Sequence, residues 1–259
     1  MRPPRGVLFA GTSAPLKHSR AEPVAALSEI IEHFWRVDWD LRGLAPLNPQ
    51  TLPHPSVHVV IEGSRHEITG VFTRRFSRVL EGKGRVFGIK FRPAMFQALL
   101  GKPVSTLANR VVPIAQVFGR EGARFARAVQ RAEDPTGLAN AFFLERVTKP
   151  APLAVAMRDL VERTASDRSL IKVEQLLDGV TARTLQRQFR HYVGVGPKWV
   201  LQRYRLHEVN ERLKLDPHLD LADLAYELGY VDQPHFVRDF KALVGVTPGA
   251  YAKQIAKAQ

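Results

Sequence analysis

Between Arg183 and Arg205 the chain carries six basic side chains, Arg183, Arg187, Arg190, Lys198, Arg203 and Arg205, and no acid. Guanidinium and ammonium groups in that density suit phosphate oxygens and the acceptor edges of bases. A second group, His54, His58, Glu62 and His66, recurs at steps of four. In a β-rich setting those four invite a cupin-like metal site, the basis of an alternative reading as a metal-dependent sensor or enzyme. Four residues along a strand span roughly 13 Å, however, so one ion would be gripped only if the chain bent at Pro55 or Gly63. Turn or solvent-facing histidines are the preferred account, and neither a metal nor a cofactor is expected. Cysteine is absent, which removes disulfides, thiolate nucleophiles and thiolate-ligated metals. No Ser-His-Asp order or carboxylate pair stands out, and Lys83 between Gly82 and Gly84 reads as a hairpin turn, not a phosphate loop. The sequence does not describe an enzyme.

Steps of composition frame these groups. With 259 residues, 45% of them apolar, the chain can bury sizeable cores in one large or two ordinary domains. The net charge of +13 favours a polyanionic partner. Its distribution is uneven: residues 1–154 hold 22 basic and 12 acidic side chains, residues 155–259 hold 16 and 13. Net charge therefore does not locate a binding face, and local clustering has to. There is no apolar run of 18 residues, and Met1–Ala14 is too short and too broken by Pro3 and Pro4 for a signal peptide, so a cytoplasmic protein with no membrane partner is expected.

The elements that must position the basic cluster follow from periodicity. Residues 1–22, rich in Pro, Gly and bases, read as a loop or loosely docked arm. Residues 27–39 start helical and pass into a strand. Alternation between Val57 and Phe91 predicts antiparallel strands forming a sheet or partial barrel over about 27–93. Trp35 and Trp39, four apart, suit core or interface anchors. Helical spacing follows over about 94–150, in AMFQALLG, residues 115–132 and residues 136–147. The fold class is α+β, with a boundary at residues 149–152. Residues 1–150 would be a sensor or dimerisation domain and residues 153–259 an all-α domain. Trp35, Val59, Ile61, Phe72, Phe87, Ile89 and Phe91 could line an effector cavity in the first, although they serve equally as a dry core, the preferred reading.

The all-α part contains one scheme twice. In Val173–Pro197 an apolar segment, a turn at Gly179 and a cap at Thr181 precede a helix with Leu185 and Phe189 four apart. Arg183, Gln186, Arg187 and Arg190 are left for the other surface. In Asp220–Pro248 the stripe Leu221, Leu224, Ala225 and Leu228 precedes a turn at Gly229. Asp232 then caps a helix with Phe236 and Phe240 four apart and His235, Arg238 and Lys241 outward. Between them, Lys198–Leu213 predicts a helix about 24 Å long at 1.5 Å per residue. Two helix-turn-helix units so joined suit the successive major grooves of double-stranded DNA.

The segment GYVDQPHFVRDFKALVGVTPGAY, with RTLQRQF in the first unit, resembles the AraC/XylS family of transcriptional regulators. That resemblance implies sequence-specific DNA binding. It assigns base contact to Arg183, Gln186 and Arg187 in one helix and to His235 and Arg238 in the other, with Pro234 where many members carry a polar reader. Arg190, Lys198, Arg203, Arg205 and Lys241 remain for phosphate. A small-molecule effector, a homodimer and, for an activator, RNA polymerase are the further partners. The first unit's LLDGVT turn is about two residues short of the usual pattern, so its first helix is expected to be clipped or tilted. WRVDW and the run from Gly88 to Ile114 also resemble an N-terminal domain attached to some members.

Overall fold

Apolar residues on alternate positions let one sheet bury two different faces. The computed structural model describes residues 16–258. It contains β1 (Leu16–Ala21), β2 (Ile31–Asp40), β3 (Gln50–Thr51), β4 (His58–Glu62), β5 (Arg65–Thr69), β6 (Phe76–Ser77), β7 (Lys83–Phe91) and β8 (Val111–Pro113). Six strands form an antiparallel sheet in the order β1-β2-β7-β4-β5-β8, and β3 pairs with β6 beside it. Phe34, Val59, Ile61, Ile68, Phe87, Ile89 and Phe91 point from one face into the main core. Trp35, Val37, Trp39, Val60 and Val86 leave the other face and meet Leu16, Leu41, Leu47 and Leu80. The α+β expectation holds.

The two tryptophans have a specific role. Trp39 stands opposite Gly84 and Trp35 opposite Gly88 in the β2–β7 register. Each indole lies flat over its glycine, so that a Cβ on Gly88 would come within 2.0 Å of the Trp35 ring and one on Gly84 within 2.1 Å of Trp39. These glycines are in a strand because only hydrogen fits under the indoles. The anchor reading of the pair is the right one.

One stretch read as an arm is structured. Residues 16–21 pair with the whole length of Phe34–Trp39 as an edge strand. Four of the six are exposed. A strand held by backbone hydrogen bonds along an edge needs no apolar alternation, and so left none in the sequence. Residues 1–15 lie outside the described part.

Helices follow: α1 (Gln97–Leu100), α2 (Ala115–Arg131), α3 (Thr136–Leu144), α4 (Pro152–Ser166), α5 (Ala182–Tyr192), α6 (Pro197–Leu215), α7 (Leu221–Glu227), α8 (Gln233–Val244) and α9 (Pro248–Ala258). Helix α2 is kinked at Gly119. Helix α4 begins at the expected boundary, but the core does not stop there. One cluster of buried side chains runs from Leu27 through Val161 to Leu185, Phe189, Val193 and Leu201. Residue Gly194 lies against Val104 of the first part. A second cluster joins Leu206, Val209 and Leu213 to Leu224, Phe236, Phe240 and Tyr251. None of the described helices is long and apolar enough to cross a membrane.

Five of the seven effector-cavity candidates, Val59, Ile61, Phe87, Ile89 and Phe91, are in the main core, packed rather than lining space. Trp35 covers Gly88 on the opposite face, and Phe72 is half-buried beyond the strand. A cavity of about 30 Å³, room for a single water, lies elsewhere, between Ile30, Met95, Leu99, Val147 and Ala154. The seven residues are a dry core and its cover.

Polar groups are buried at the edge of this core. Lys90 Nζ lies 2.8 Å from Glu32, whose other neighbour is His33 at 3.5 Å. Burial alone would raise the Glu32 pKa, but the hydrogen bond from His33 and the charge and hydrogen bond of Lys90 bring it down to about 2. Burial, reinforced by Lys90, depresses His58 to about 3, and its Nδ1 accepts from Trp35 Nε1 at 3.4 Å. Burial likewise depresses His207 to about 3, helped by the charge of Arg203.

Two outcomes follow from this packing. Gly88→Ala should shift the urea midpoint by the equivalent of roughly 1–3 kcal/mol of lost stability, the cost of forcing a methyl group under an indole; an unchanged midpoint would refute the close contact. Histidines held neutral cost nothing above their unfolded pKa near 6.5, and below it the unfolded chain binds protons that the folded chain refuses. Stability should therefore fall as pH drops from 6.5 towards 3, by on the order of 1 kcal/mol per pH unit for each buried histidine. His207→Gln should flatten that fall, read from urea midpoints at pH 7, 6 and 5.

Candidate nucleic-acid interface

Helix α5 starts where Thr181 Oγ1 accepts the Thr184 backbone N–H at 3.2 Å. The preceding turn uses Gly179 at φ +68°, a conformation that favours glycine. Leu185 and Phe189 are buried and fix the inward side. Arg183, Arg187 and Arg190 are exposed on the opposite side. Gln186 is half-buried, its amide packed against Gly196 where α5 turns into α6. It stands at the margin of the basic face, one turn from Arg183 and Arg190.

The first element of this unit departs from a full helix. Val173–Leu176 makes a single 3-10 turn. Gln175 Oε1 accepts the backbone N–H groups of Ile171 and Lys172, each at 2.8 Å, and so closes the turn with its own side chain. The short LLDGVT segment leaves no room for a second turn of helix. The clipping expected from the sequence takes this form.

The second unit is complete. Asp220 caps α7 by accepting from Ala222 N at 2.7 Å and Asp223 N at 3.1 Å. Asp232 caps α8 by accepting from His235 N at 2.6 Å, with Pro234 in the first turn. Phe236 and Phe240 are wholly buried. Pro234, His235, Arg238 and Lys241 are exposed. His235 Nε2 lies 3.3 Å from Asp239, one turn on, and its ring meets Tyr230 edge-on at 5.6 Å. That arrangement fixes the imidazole orientation at the start of the helix.

Two of the five residues assigned to phosphate are spent inside the protein. Arg203 is 2% exposed, which puts its charge out of reach of a backbone phosphate. Arg205 is half-buried; it donates to the Ile171 carbonyl and lies over the Tyr230 ring, with Cζ 5.6 Å from the centroid. Burial lowers the pKa of Arg205 and raises that of Tyr230. Apolar side chains leave α6 in several directions to join both cores, and Arg203 and Arg205 turn inward with them. Arg190, Lys198 and Lys241 remain exposed.

The structure does not assemble the histidine group. His58 faces Trp35, His66 meets Gln130 of α2 at 3.2 Å, Glu62 binds Arg78, and His54 meets His207 at a tilt with ring centroids 4.5 Å apart. Among the described residues no three His, Asp or Glu side chains converge as metal ligands would. Sequence reasoning missed Arg75, which donates from Nη1 to the Val244 carbonyl at the C-terminal end of α8, at 3.0 Å. An arginine in a loop 169 residues away carries no local signal of that contact.

Two family models match. Residues 19–113 match a domain of unknown function and residues 179–254 a helix-turn-helix domain, whose span takes in α5 to α8 with the first part of α9 and leaves out the 3-10 turn. Over 173 residues the chain is 28% identical to the HTH-type transcriptional regulator GlxA of Rhizobium meliloti (strain 1021), covering 62% of this chain and 53% of that protein. Both findings agree with the resemblance read from the sequence. The chain spans about half the length of that curated relative. It is also similar to solved structures of ToxT from Vibrio cholerae. One, at 12% identity, covers 92% of this chain and 97% of ToxT with a TM-score of 0.38. Another, from strain O395, also at 12% identity, covers 93% and 98% with a TM-score of 0.39.

The caps of the second unit give a direct check. Asp232→Ala removes the acceptor for the His235 N–H and should cost about 1 kcal/mol of stability, measured by thermal or urea unfolding. Asp232→Asn, which keeps an acceptor, should recover most of it; equal losses would mean that the cap is not the cause.

Proposed function

We propose that this chain is a sequence-specific DNA-binding transcriptional regulator in which α5 and α8 read successive major-groove faces of double-stranded DNA. The observation that carries the reading is the repeated unit: a capped helix, two buried side chains four apart, and exposed basic residues opposite. Arg183 and Arg187 of α5, with Arg238 of α8, supply two-pronged donors suited to guanine O6 and N7. His235 adds an orientable donor or acceptor, and Gln186 reaches a base only if its amide leaves Gly196. Arg190, Lys198 and Lys241 supply the sequence-independent attraction to phosphate. Residues 153–259 are the DNA-binding domain. Residues 1–150 serve as a sensor or dimerisation domain, and an effector, a second copy of the chain and RNA polymerase are the partners through which binding becomes regulation. The chain has no catalytic role, and its place of work is the cytoplasm.

Selection from a randomised duplex library tests this. The expected product is a motif with two clusters about ten base pairs apart. Arg187→Ala should relax one cluster and Arg238→Ala the other, each at a cost of roughly 1–3 kcal/mol on the preferred site. Lys241→Ala should instead weaken all sequences alike and lower the salt slope by about 1. Preferred sites bound no better than random duplex across a salt series would overturn the proposal.

A further inference from the structure

Two short pieces of the N-terminal part reach the C-terminal ends of α5 and α8. At the end of α5, Gly194 at φ +98° packs on Val104, so closely that a Cβ there would come within 3.0 Å of the valine side chain. At the end of α8, the Arg75 guanidinium lies over Gly245, where a Cβ would come within 2.2 Å of Nη1. That nitrogen donates to the Val244 carbonyl at 3.0 Å. A cation so placed also meets the negative end of the α8 dipole.

Val104 and Arg75 belong to one clamped unit. The 3-10 turn Val104–Leu107 lies against Gly70, where a Cβ would come within 1.9 Å of the Leu107 carbonyl oxygen. Gly70 N donates to the Arg110 carbonyl and Asn109 N to the Val71 carbonyl, each at 3.0 Å. Asn109 stands at φ +56°, a conformation that asparagine adopts more readily than most residues. Its Oδ1 accepts from Thr73 N at 2.8 Å and from Thr73 Oγ1 at 3.0 Å. Beyond Arg75, β6 pairs with β3, and Leu52, which follows β3, is buried in the core of the second unit. The segment that carries Arg75 is therefore held on both sides. A line of contacts runs from Gly194 through Val104, Asn109 and Arg75 to Gly245 without passing through α6.

Helix α6 sets where the two helices stand, but a single link leaves α8 free to swing about it. A second link at the helix ends closes a frame, and energetic coupling travels through contiguous contacts of this kind. We infer that residues 70–77 and 104–110 form a strut that holds α8 at a set angle to α5, with Arg75 and Asn109 as positioning residues that restrict which spacing of base-pair clusters the chain accepts. The inference rests on the DNA-binding reading proposed above. One base pair inserted between the clusters moves the second by about 3.4 Å and turns it by about 35°. A hinged α8 follows that shift, and a strutted one does not.

The test remakes the selected two-cluster duplexes with one base pair inserted or removed between the clusters, and measures Kd for the full chain and two variants. Off its best spacing the wild-type chain should lose at least about tenfold in affinity, the scale of one two-pronged base contact. Arg75→Met and Asn109→Gly should each lose about threefold or less, because α8 can then follow the displaced cluster. A residue that only stabilised the fold would weaken every spacing by one factor and leave this ratio alone. Asn109 is exposed, and Asn109→Gly keeps the positive φ while removing the acceptor for Thr73, so it decides should Arg75→Met not fold. In DNA-free protein the Gly245 amide, which donates to the Lys241 carbonyl at 2.8 Å, reports on the strut directly. Its hydrogen exchange, taken relative to the Leu185 amide, should be at least about fivefold faster in both variants. A wild-type chain with no spacing preference would overturn the DNA-binding reading and this inference with it. A preference kept in full by the variants, or unaltered exchange at Gly245, would overturn the inference alone.

Discussion

Helix α6 has to be satisfied on every side at once. Val200 and Leu201 join the core that the sheet builds, while Leu206, Val209 and Leu213 join the core of the second helix-turn-helix unit. Its polar side chains must then find partners inside the protein. Asn210 receives a hydrogen bond from Tyr251 of α9, Gln202 donates to Asp239 of α8, Arg205 donates to the Ile171 carbonyl, and Arg212 pairs with Glu208 and Glu227. Apart from Arg212–Glu208, which stays within α6, each bond ties α6 to a different neighbour. The relative placement of α5 and α8 follows from this one helix.

Much of the helical architecture was legible because its signals are local. A cap followed by two large apolar residues four apart specifies a helix and its buried side whatever lies beyond, which is why Thr181 and Asp232 are found capping as read. The outward face of each second helix follows by subtraction. Exposed Arg183, Arg187, Arg238 and Lys241 therefore agree with the sequence, whereas Arg203 and Arg205 do not. Their fate depends on what packs around α6, and for Arg205 that is set by Ile171 and Tyr230, neither of them a periodic neighbour. Strand β1 escaped for a related reason, since an edge strand is specified by the open hydrogen-bonding groups of β2 and not by its own side chains. The tryptophans and glycines of β2 and β7 were visible as spacings of four in each strand, but their complementarity needed the register.

Charge in this protein is divided between contact and construction. Arg36 and Arg85 both reach Asp38, and each also donates to a backbone carbonyl near the end of α2. Arg92 ties Glu162 of α4 to the Ser28 carbonyl. Partly buried, multidentate arginines of this kind fix loops and helix ends more than they attract a distant polyanion. The excess positive charge of residues 1–154 is thus partly structural. A modest net charge in the helical part is compatible with a DNA-facing surface because its unspent bases, Arg183, Arg187, Arg190 and Lys198 on one side and Arg238 and Lys241 on the other, are concentrated on exposed positions.

The bond from Arg75 to the Val244 carbonyl means that the last turn of α8 is finished by a residue of the N-terminal domain. Gly245, which follows at φ +90°, leaves the space that this guanidinium occupies. Recombination between relatives would have to respect that joint. A chimera that took its first part from a relative would inherit a helix end without its donor, together with a strip of apolar surface from Leu185 to Leu201 cut to fit a different partner. The two halves of this chain are therefore bound to change together, and an exchange at the proline-rich boundary near residue 150 needs matching substitutions on both sides of the seam.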